Sequence, residues 1–158
     1  MEELDIKKII HRELILTNIP AEDKKDVLKT LTKQLFAEGY IDDKDQFFED
    51  VMWREKEGMT GLGDGVAIPH GKSESVLTTT IAVGITKDPI EWESFDNKPV
   101  NVIILFAVRK VDENTTHIKL LQKVAVLLAD EELLAALSLA KTNEEVYELL
   151  TEGNKNLV

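Results

Sequence analysis

The spacing of hydrophobic residues in the first third of the chain predicts one strand and two helices. A short apolar run predicts a strand over residues 9–16. Pro20 and the acids after it suit the first turn of a helix. A valine and three leucines then recur at helical spacing before Gly39. A second helix is predicted over residues 43–56, with two phenylalanines, a valine and a methionine on one face before Gly58.

The remaining chain predicts a sheet and three further helices. Alternating apolar and small residues at 78–86 indicate a strand. The nearly all-apolar stretch at 100–108 indicates an inner strand that is covered on both faces. Residues 89–92 are predicted as a turn or short strand, and residues 112–115 as a turn. Helices are predicted at residues 116–128, 131–139 and 142–150, the last from a capping box, with a polar, frayed tail at residues 153–158.

Helices and strands are interspersed along the chain. This order predicts an α/β fold, in which helices pack on both faces of a mixed β-sheet. With 158 residues and a hydrophobic fraction of 43%, the chain suits a single domain, which we place at residues 1–152. The sequence contains no internal repeat, low-complexity segment or linker that would divide this domain.

A glycine-rich segment with one histidine lies between the second helix and the alternating strand. Four glycines fall within residues 61–71, and a short apolar run leads to His70 between Pro69 and Gly71. Proline fixes its own φ and has no amide proton, whereas glycine permits φ > 0. We therefore expect His70 at the end of a strand, with a sharp exit at Gly71. A histidine placed beside such approachable backbone is typical of a nucleophile.

Composition and charge exclude several classes of function. The net charge of -11, from 30 acids and 19 bases, argues against nucleic acid and anionic membrane as partners. No apolar run is long enough to cross a bilayer, and the acidic N-terminus lacks a signal-peptide pattern. We therefore expect a cytoplasmic protein. The absence of cysteine excludes a disulfide framework, a thiolate metal site and a cysteine nucleophile.

The residues around the histidine are similar to the motif of a known family. Arg54-Glu55 followed by residues 59–72 resembles the enzyme IIA component of the phosphoenolpyruvate-dependent sugar phosphotransferase system, fructose/mannitol type. That family carries an arginine-glutamate pair, a threonine, a glycine-rich turn, and a phosphorylated histidine after alanine, an aliphatic residue and proline. A second histidine opens a later helix, and His117 before Ile-Lys-Leu-Leu fits that position. The resemblance covers nearly the whole chain and implies a type-2 EIIA domain.

The resemblance implies a phosphocarrier that needs no cofactor and no metal. His70 would accept a phosphoryl group from the histidine phosphocarrier protein HPr and pass it to a cysteine of a IIB component during sugar uptake. Because this chain has no cysteine, the IIB unit would have to be a separate polypeptide or domain. Fructose is the family-level expectation for the sugar, with mannitol and galactitol as alternatives, since the permease selects the substrate.

The resemblance also assigns roles to the groups around the transferred phosphoryl. Arg54 alone would be interpreted as the solvated end of a helix, but the family match implies paired contacts with phosphoryl oxygens. His117 lies where free helix amides favour an anion and would donate a hydrogen bond to the phosphoryl group. The resemblance suggests Nε2 of His70 as the attacking atom, which requires the other ring nitrogen to be held as a donor.

Further candidates lie close to His70 in sequence. Thr60 fits the family motif as a phosphoryl-binding residue, Gly71 is a second candidate, and Ser73 is a third by proximity alone. The amides of Gly61, Gly63 and Gly65, which are primarily turn formers, are also candidates to line an anion site. Partner recognition is expected from an apolar patch ringed by acids, whose charge would speed encounter with a basic donor. This patch is predicted to consist of Leu62, Val66 and Ile68.

Three alternatives to a transport role follow from the same residues. The nitrogen-type branch of the family shares the histidine motif and binds target proteins according to its phosphorylation state. A metal-binding or hydrolytic use of His70 and His117 is disfavoured, because the sequence lacks a His-x-x-x-His spacing, a Gly-x-Ser-x-Gly elbow and a Walker loop. An interaction module with an unused histidine is disfavoured by the length of the motif.

Overall fold

The strands form one mixed sheet. The structure is a computed structural model that describes residues 8–112 and 114–156, with side chains to residue 151. Within this part of the chain, six strands pair in the order β1-β5-β6-β3-β2, and β4 also pairs with β6. The strands are β1 (Ile10–Ile19), β2 (Gly61–Gly63), β3 (Val66–Ala67), β4 (His70–Ser73), β5 (Thr80–Ile90) and β6 (Val100–Arg109). Strands β5 and β6 are antiparallel, whereas β3 and β4 both run parallel to β6.

Helices cover both faces of the sheet. The helices are α1 (Lys24–Ala37), α2 (Lys44–Glu57), α3 (Thr116–Leu128), α4 (Glu131–Leu139) and α5 (Asn143–Asn156). Alternate residues of β6 belong to two separate cores, because successive side chains of a strand point to opposite faces. Ile103 and Leu105 pack with α1 and α2, whereas Ile104 and Phe106 pack with α3, α4 and α5. The predicted α/β fold, with its fully covered inner strand, is confirmed.

Most boundaries agree with the hydrophobic pattern, and the exceptions have local causes. Helix α1 begins at Lys24 and not near Pro20, because the side chain of Asp23 accepts the amide of Asp26 and caps the helix there. Strand β5 continues to Ile90, beyond its predicted end, because Ile90 still pairs with Val100 of β6. None of the helices in the described part of the chain has the length and apolarity needed to span a bilayer.

The C-terminal helix differs from its prediction at its far end. The hydroxyl of Thr142 accepts the amide of Glu145, as expected for the start of a capping box. The helix then runs to Asn156 and not to Leu150, so residues 153–156 of the predicted tail are helical. Parts of three predicted segments lie outside the described residues. They are residues 1–7 of the predicted domain, Glu113 of the predicted turn and residues 157–158 of the predicted tail.

Candidate functional site

His70 opens strand β4 and does not end the strand before it. Strands β3 and β4 are separated by two residues, and both pair with β6, so that His70 lies opposite Phe106 in the parallel register. The two rings are in edge contact, with centroids 5.0 Å apart and an interplanar angle of 78°. The side chain is buried, with 7% of the residue exposed. The pairing of β4 with the central strand β6 therefore fixes the position of this imidazole.

Helix α3 brings the second predicted histidine against the first. His117 lies in the first turn of α3, which begins at Thr116 as predicted, and it is buried. Its ring centroid is 5.1 Å from that of His70 and 6.0 Å from that of Phe106, with near-perpendicular planes. The three rings form one cluster, so the structure brings together the two histidines that the sequence singles out.

The surroundings of His70 keep its imidazole neutral. Burial is the main reason that the pKa of His70 falls from 6.5 to about 3. Electrostatic interactions with His117, Arg54 and Lys72, in that order, lower the pKa of His70 further. Both ring nitrogens are buried and have no hydrogen-bond partner among the described residues. The expectation that a hydrogen bond holds one ring nitrogen is therefore wrong for this part of the chain, where edge contacts with aromatic rings hold the imidazole.

His70 faces an open cavity of about 540 Å³ with an excess of positive charge. The residues that line it are Asp50, Trp53, Arg54, His70, Lys72 and Lys110. Three cationic side chains and one carboxylate surround the histidine, although the whole chain carries a net charge of -11. The predicted ring of acids is therefore wrong at this rim. A local positive potential of this kind suits a doubly charged anion such as a phosphoryl group.

Arg54 reaches this cavity because α2 packs closely against β4. A Cβ atom on Gly71 would lie 2.5 Å from Cε1 of Phe47 and 2.7 Å from Cγ2 of Val51. Only glycine therefore permits the approach of the two elements at this point. Arg54 lies in the last turn of α2, half-buried, and its Nη1 donates to the carbonyl of Gly58 at 3.3 Å.

Two predicted phosphoryl ligands, Gly71 and Ser73, do not line the cavity. Gly71 has no positive φ, so the predicted sharp exit is wrong and β4 continues through it. Strand alternation turns the Ser73 side chain to the face opposite His70, and the backbone of Gly71 pairs with Ala107 of β6. The Ser73 hydroxyl lies 2.8 Å from the Ser75 hydroxyl and accepts the Ser75 amide at 3.1 Å. Ser73 is fully buried in this contact, which corrects its predicted role.

Thr60 is also engaged elsewhere. Its hydroxyl donates to Oε2 of Glu55 at 2.7 Å and accepts the indole N–H of Trp92 at 3.0 Å. Thr60 is 2% exposed and does not line the cavity that contains His70. The geometry therefore favours a structural role for Thr60 beside α2, where it contacts Glu55 and Trp92, over its predicted contact with the phosphoryl group.

The predicted partner-binding patch does not form a surface. Val66 is buried in the sheet core, and Ile68 packs against the same core from a partly buried position. Leu62 is exposed on β2. The apolar side chain at the rim of the cavity is instead Trp53, which is 64% exposed. The sequence pattern held a signal for it, because Asp50, Trp53 and Arg54 share one face of α2 at helical spacing.

A comparison with known proteins identifies the family. The model of the family described as "Phosphoenolpyruvate-dependent sugar phosphotransferase system, EIIA 2" matches residues 8–153. The chain belongs to this EIIA family. The nitrogen regulatory protein of Klebsiella oxytoca is 34% identical over 158 residues, which cover 97% of this chain and 94% of that protein.

Two further similarities connect the EIIA chain with a longer EIIABC component and with a solved structure. The 2-O-alpha-mannosyl-D-glycerate-specific EIIABC component of Escherichia coli is 33% identical over 94% of this chain, but the chain spans only 23% of that protein's length. The crystal structure of the nitrogen regulatory protein IIA-Ntr from Neisseria meningitidis has a TM-score of 0.84 and 31% identity, over 92% of this chain and 99% of that one. The fold is therefore that of an EIIA domain.

Proposed function

We propose that this EIIA chain is a phosphocarrier that accepts a phosphoryl group on His70 from phospho-HPr and passes it to a cysteine of a IIB component. The observation that carries the proposal is a buried, neutral imidazole without a hydrogen-bond partner in the described chain, facing a cavity with three cationic side chains. An unpaired buried polar group costs about 1–3 kcal/mol, so a purely structural histidine would be expected to have a partner. A nucleophile needs its lone pair free.

The chemistry requires no redox step and no net proton transfer. The lone pair of a His70 ring nitrogen forms the new N–P bond, with Nε2 as the expected atom. The N–P bond of the donor's phosphohistidine breaks in line, and its electron pair stays on the donor imidazole. In the second step a IIB cysteine thiolate forms an S–P bond, and the electron pair of the breaking N–P bond returns to His70.

The surrounding charges stabilise the phosphoryl group during transfer. Arg54 has the planar donor geometry that matches phosphoryl oxygens, and Lys72 and Lys110 add positive charge from the rim. His117 lies at the first turn of α3, from which it donates to a phosphoryl oxygen. Because both His70 nitrogens are buried, a docking partner has to displace rim side chains before the phosphoryl group reaches them.

The role implies transient partners in the cytoplasm. A relay protein binds its donor and its acceptor in turn and releases both, which favours small interfaces. Trp53 at the rim is the side chain that we expect both partners to contact. Fructose remains the family-level expectation for the sugar, with mannitol and galactitol as alternatives, because the permease and not this chain selects the substrate.

A regulatory role is the second candidate, and one observation favours it. The chain matches a nitrogen regulatory protein over nearly the full length of both proteins. In this alternative, the same phosphorylation of His70 sets the affinity for target proteins, and no IIB component receives the group. The acceptor of the phosphoryl group separates the two candidates.

The test of the carrier chemistry is the intact mass after incubation with phosphoenolpyruvate, enzyme I and HPr. We expect the wild type to gain one acid-labile phosphoryl group and His70→Ala to gain none. His11→Ala is the matched control, because His11 contacts Tyr40 and Glu13 away from the cavity, and it should be phosphorylated like the wild type. An unmodified wild type beside phosphorylated HPr would refute the proposal.

A chase of the phosphorylated chain with isolated IIB domains identifies the acceptor. We expect the phosphoryl group to move to the cysteine of a fructose-type IIB domain, and mannitol-type and galactitol-type domains test the alternatives for the sugar. Retention of the group on His70 with every IIB domain would contradict transport and leave the regulatory role.

A further inference from the structure

Glu55 is a buried carboxylate beside the cavity that the transfer chemistry does not use. Its side chain is 3% exposed, and its Oε1 lies 2.9 Å from Nζ of Lys24 at the start of α1. Lys24 is itself only 15% exposed on its side chain and also pairs with Glu93. Glu55 therefore connects the last turn of α2 to the first turn of α1 through an ion pair shielded from solvent.

The second oxygen of Glu55 is engaged as well. Oε2 accepts the hydroxyl of Thr60, which in turn accepts the indole N–H of the buried Trp92. The ammonium of Lys24 lies 5.0 Å from the centroid of the Trp92 ring. These contacts close a network, which we call the Glu55 network, and its members are Lys24, Glu55, Thr60, Trp92 and Glu93.

Stability alone does not account for the Glu55 network. Desolvation of a buried ion pair offsets much of its attraction, and well-packed apolar residues often serve stability as well or better. What such a network supplies is a fixed geometry, because an ion pair on one carboxylate oxygen and a hydrogen bond on the other restrain the backbone that carries them. The restrained backbone is the last turn of α2, in which Arg54 directly precedes Glu55.

The last turn of α2 needs such a restraint. Helix ends fray because their final carbonyls lack intrahelical partners. Here the helix ends at Glu57, and Arg54 donates to the carbonyl of the capping residue Gly58 while its side chain lines the His70 cavity. Loosening of this turn would let Arg54 leave the cavity without unfolding the domain.

We propose that Glu55 is a positioning residue that acts through Arg54. By engaging Lys24 and Thr60 at once, it fixes the last turn of α2 and so keeps the Arg54 guanidinium at the mouth of the His70 cavity. This inference rests on the proposed phosphocarrier function, since the value of a fixed Arg54 is its contact with the transferred phosphoryl group. Glu55 itself touches neither the phosphoryl group nor His70.

A double-mutant cycle tests this proposal on the phosphoryl-transfer rate from phospho-HPr. Glu55→Gln should slow the transfer roughly 10-fold, and Lys24→Met should act in the same direction, whereas Lys24→Arg keeps the ion pair and the rate. In an Arg54→Ala background, Glu55→Gln should change the rate less than about 2-fold, because the residue through which it acts is already gone. Glu57→Gln, an exposed glutamate on the same helix, is the matched control and should leave the rate unchanged.

The outcomes separate this proposal from the proposed function. Absence of phosphorylation on the wild type would refute the phosphocarrier function itself. A phosphorylated wild type with a wild-type rate in Glu55→Gln would overturn only the role of Glu55. Equal fold-losses from Glu55→Gln with and without Arg54 would also overturn it, since they indicate a general loss of structure. If Glu55→Gln does not fold, Lys24→Met and Lys24→Arg give the same comparison in both backgrounds.

Discussion

Two regions on either side of Arg54 treat buried polar groups in opposite ways. In the Glu55 network, one oxygen of a buried carboxylate forms an ion pair with Lys24 and the other accepts the hydroxyl of Thr60, which itself accepts the indole N–H of Trp92. At His70, both ring nitrogens are buried without a hydrogen-bond partner in the described chain. The comparison indicates that opposite charge and a hydrogen bond hold the Glu55 carboxylate in place, whereas the His70 imidazole keeps the free lone pair that a nucleophile needs.

The close approach of α2 and β4 joins the two regions, and Gly71→Ala should break it. The new Cβ would lie 2.5 Å from Phe47, so α2 must shift and carry Arg54 away from His70. We expect a loss of about 3 kcal/mol in the free energy of unfolding, measured by chemical denaturation. Gly58→Ala is the control, because its Cβ would meet only Arg54 Nη1 at 3.9 Å. Equal stability of the two variants would contradict the close packing.

Removal of Arg54 should lower the positive charge of the cavity and slow phosphoryl transfer without destabilising the fold. Arg54→Ala should lower the rate of phosphoryl transfer on the order of 100-fold, because a preorganised donor to the transferred group is lost. The thermal midpoint should change little, since the Arg54 side chain is only half-buried. Rapid-quench measurement with phospho-HPr checks this, and a rate within a factor of two of the wild type would exclude Arg54 from the reaction.

The unpaired state of His70 should make stability depend on pH. The folded chain lowers the pKa of His70 to about 3, whereas the unfolded chain has the ordinary value near 6.5. Between these pH values the unfolded state binds more protons at His70 than the folded state does. The contribution of His70 to the free energy of unfolding is therefore fully present above pH 6.5 and is lost as the pH falls toward 3. Between pH 7 and 4.5 we expect the wild type to lose about 2 kcal/mol more than His70→Gln. Parallel stability curves would contradict the lowered pKa.

The lysines at the rim should give the smallest effect. Lys110→Gln should slow transfer only about 2- to 3-fold, because an exposed charge is screened by solvent and salt. The deficit should shrink further as the ionic strength rises, which stopped-flow measurement with phospho-HPr can follow. Lys119→Gln, at an exposed lysine of α3 that does not line the cavity, is the matched control. An effect of Lys110→Gln that is independent of salt would point to a direct contact.

The sequence predicts the helices and the long strands well, and tertiary packing decides the rest. Helices α3 and α4 begin and end at the predicted residues, because their apolar spacing is strong and uninterrupted. The family motif identifies His70 and His117, which the fold then brings together. The basic rim escapes prediction because Lys110 meets the cavity only through the packing of separate elements around β4.

The errors share one physical cause, namely that proximity in sequence does not give direction in space. Ser73 lies three residues from His70, but strand alternation turns it to the other face. Val66 lies near the histidine in sequence, but β3 pairs with the central β6 and buries it. Thr60 matches the family motif, but its hydroxyl bonds to Glu55 and Trp92. The sequence contains no signal that fixes these directions before the helices are packed.

The most direct test of the account is the titration of the His70 imidazole, followed by ¹⁵N NMR of the ring nitrogens and assigned with the spectrum of His70→Gln. We expect a neutral ring throughout the range from pH 8 to about 4.5, because burial and the nearby positive charges disfavour the protonated form. Protonation near the ordinary value of about 6.5 would contradict it, since the ring would then lack the buried, neutral environment on which the proposed transfer depends.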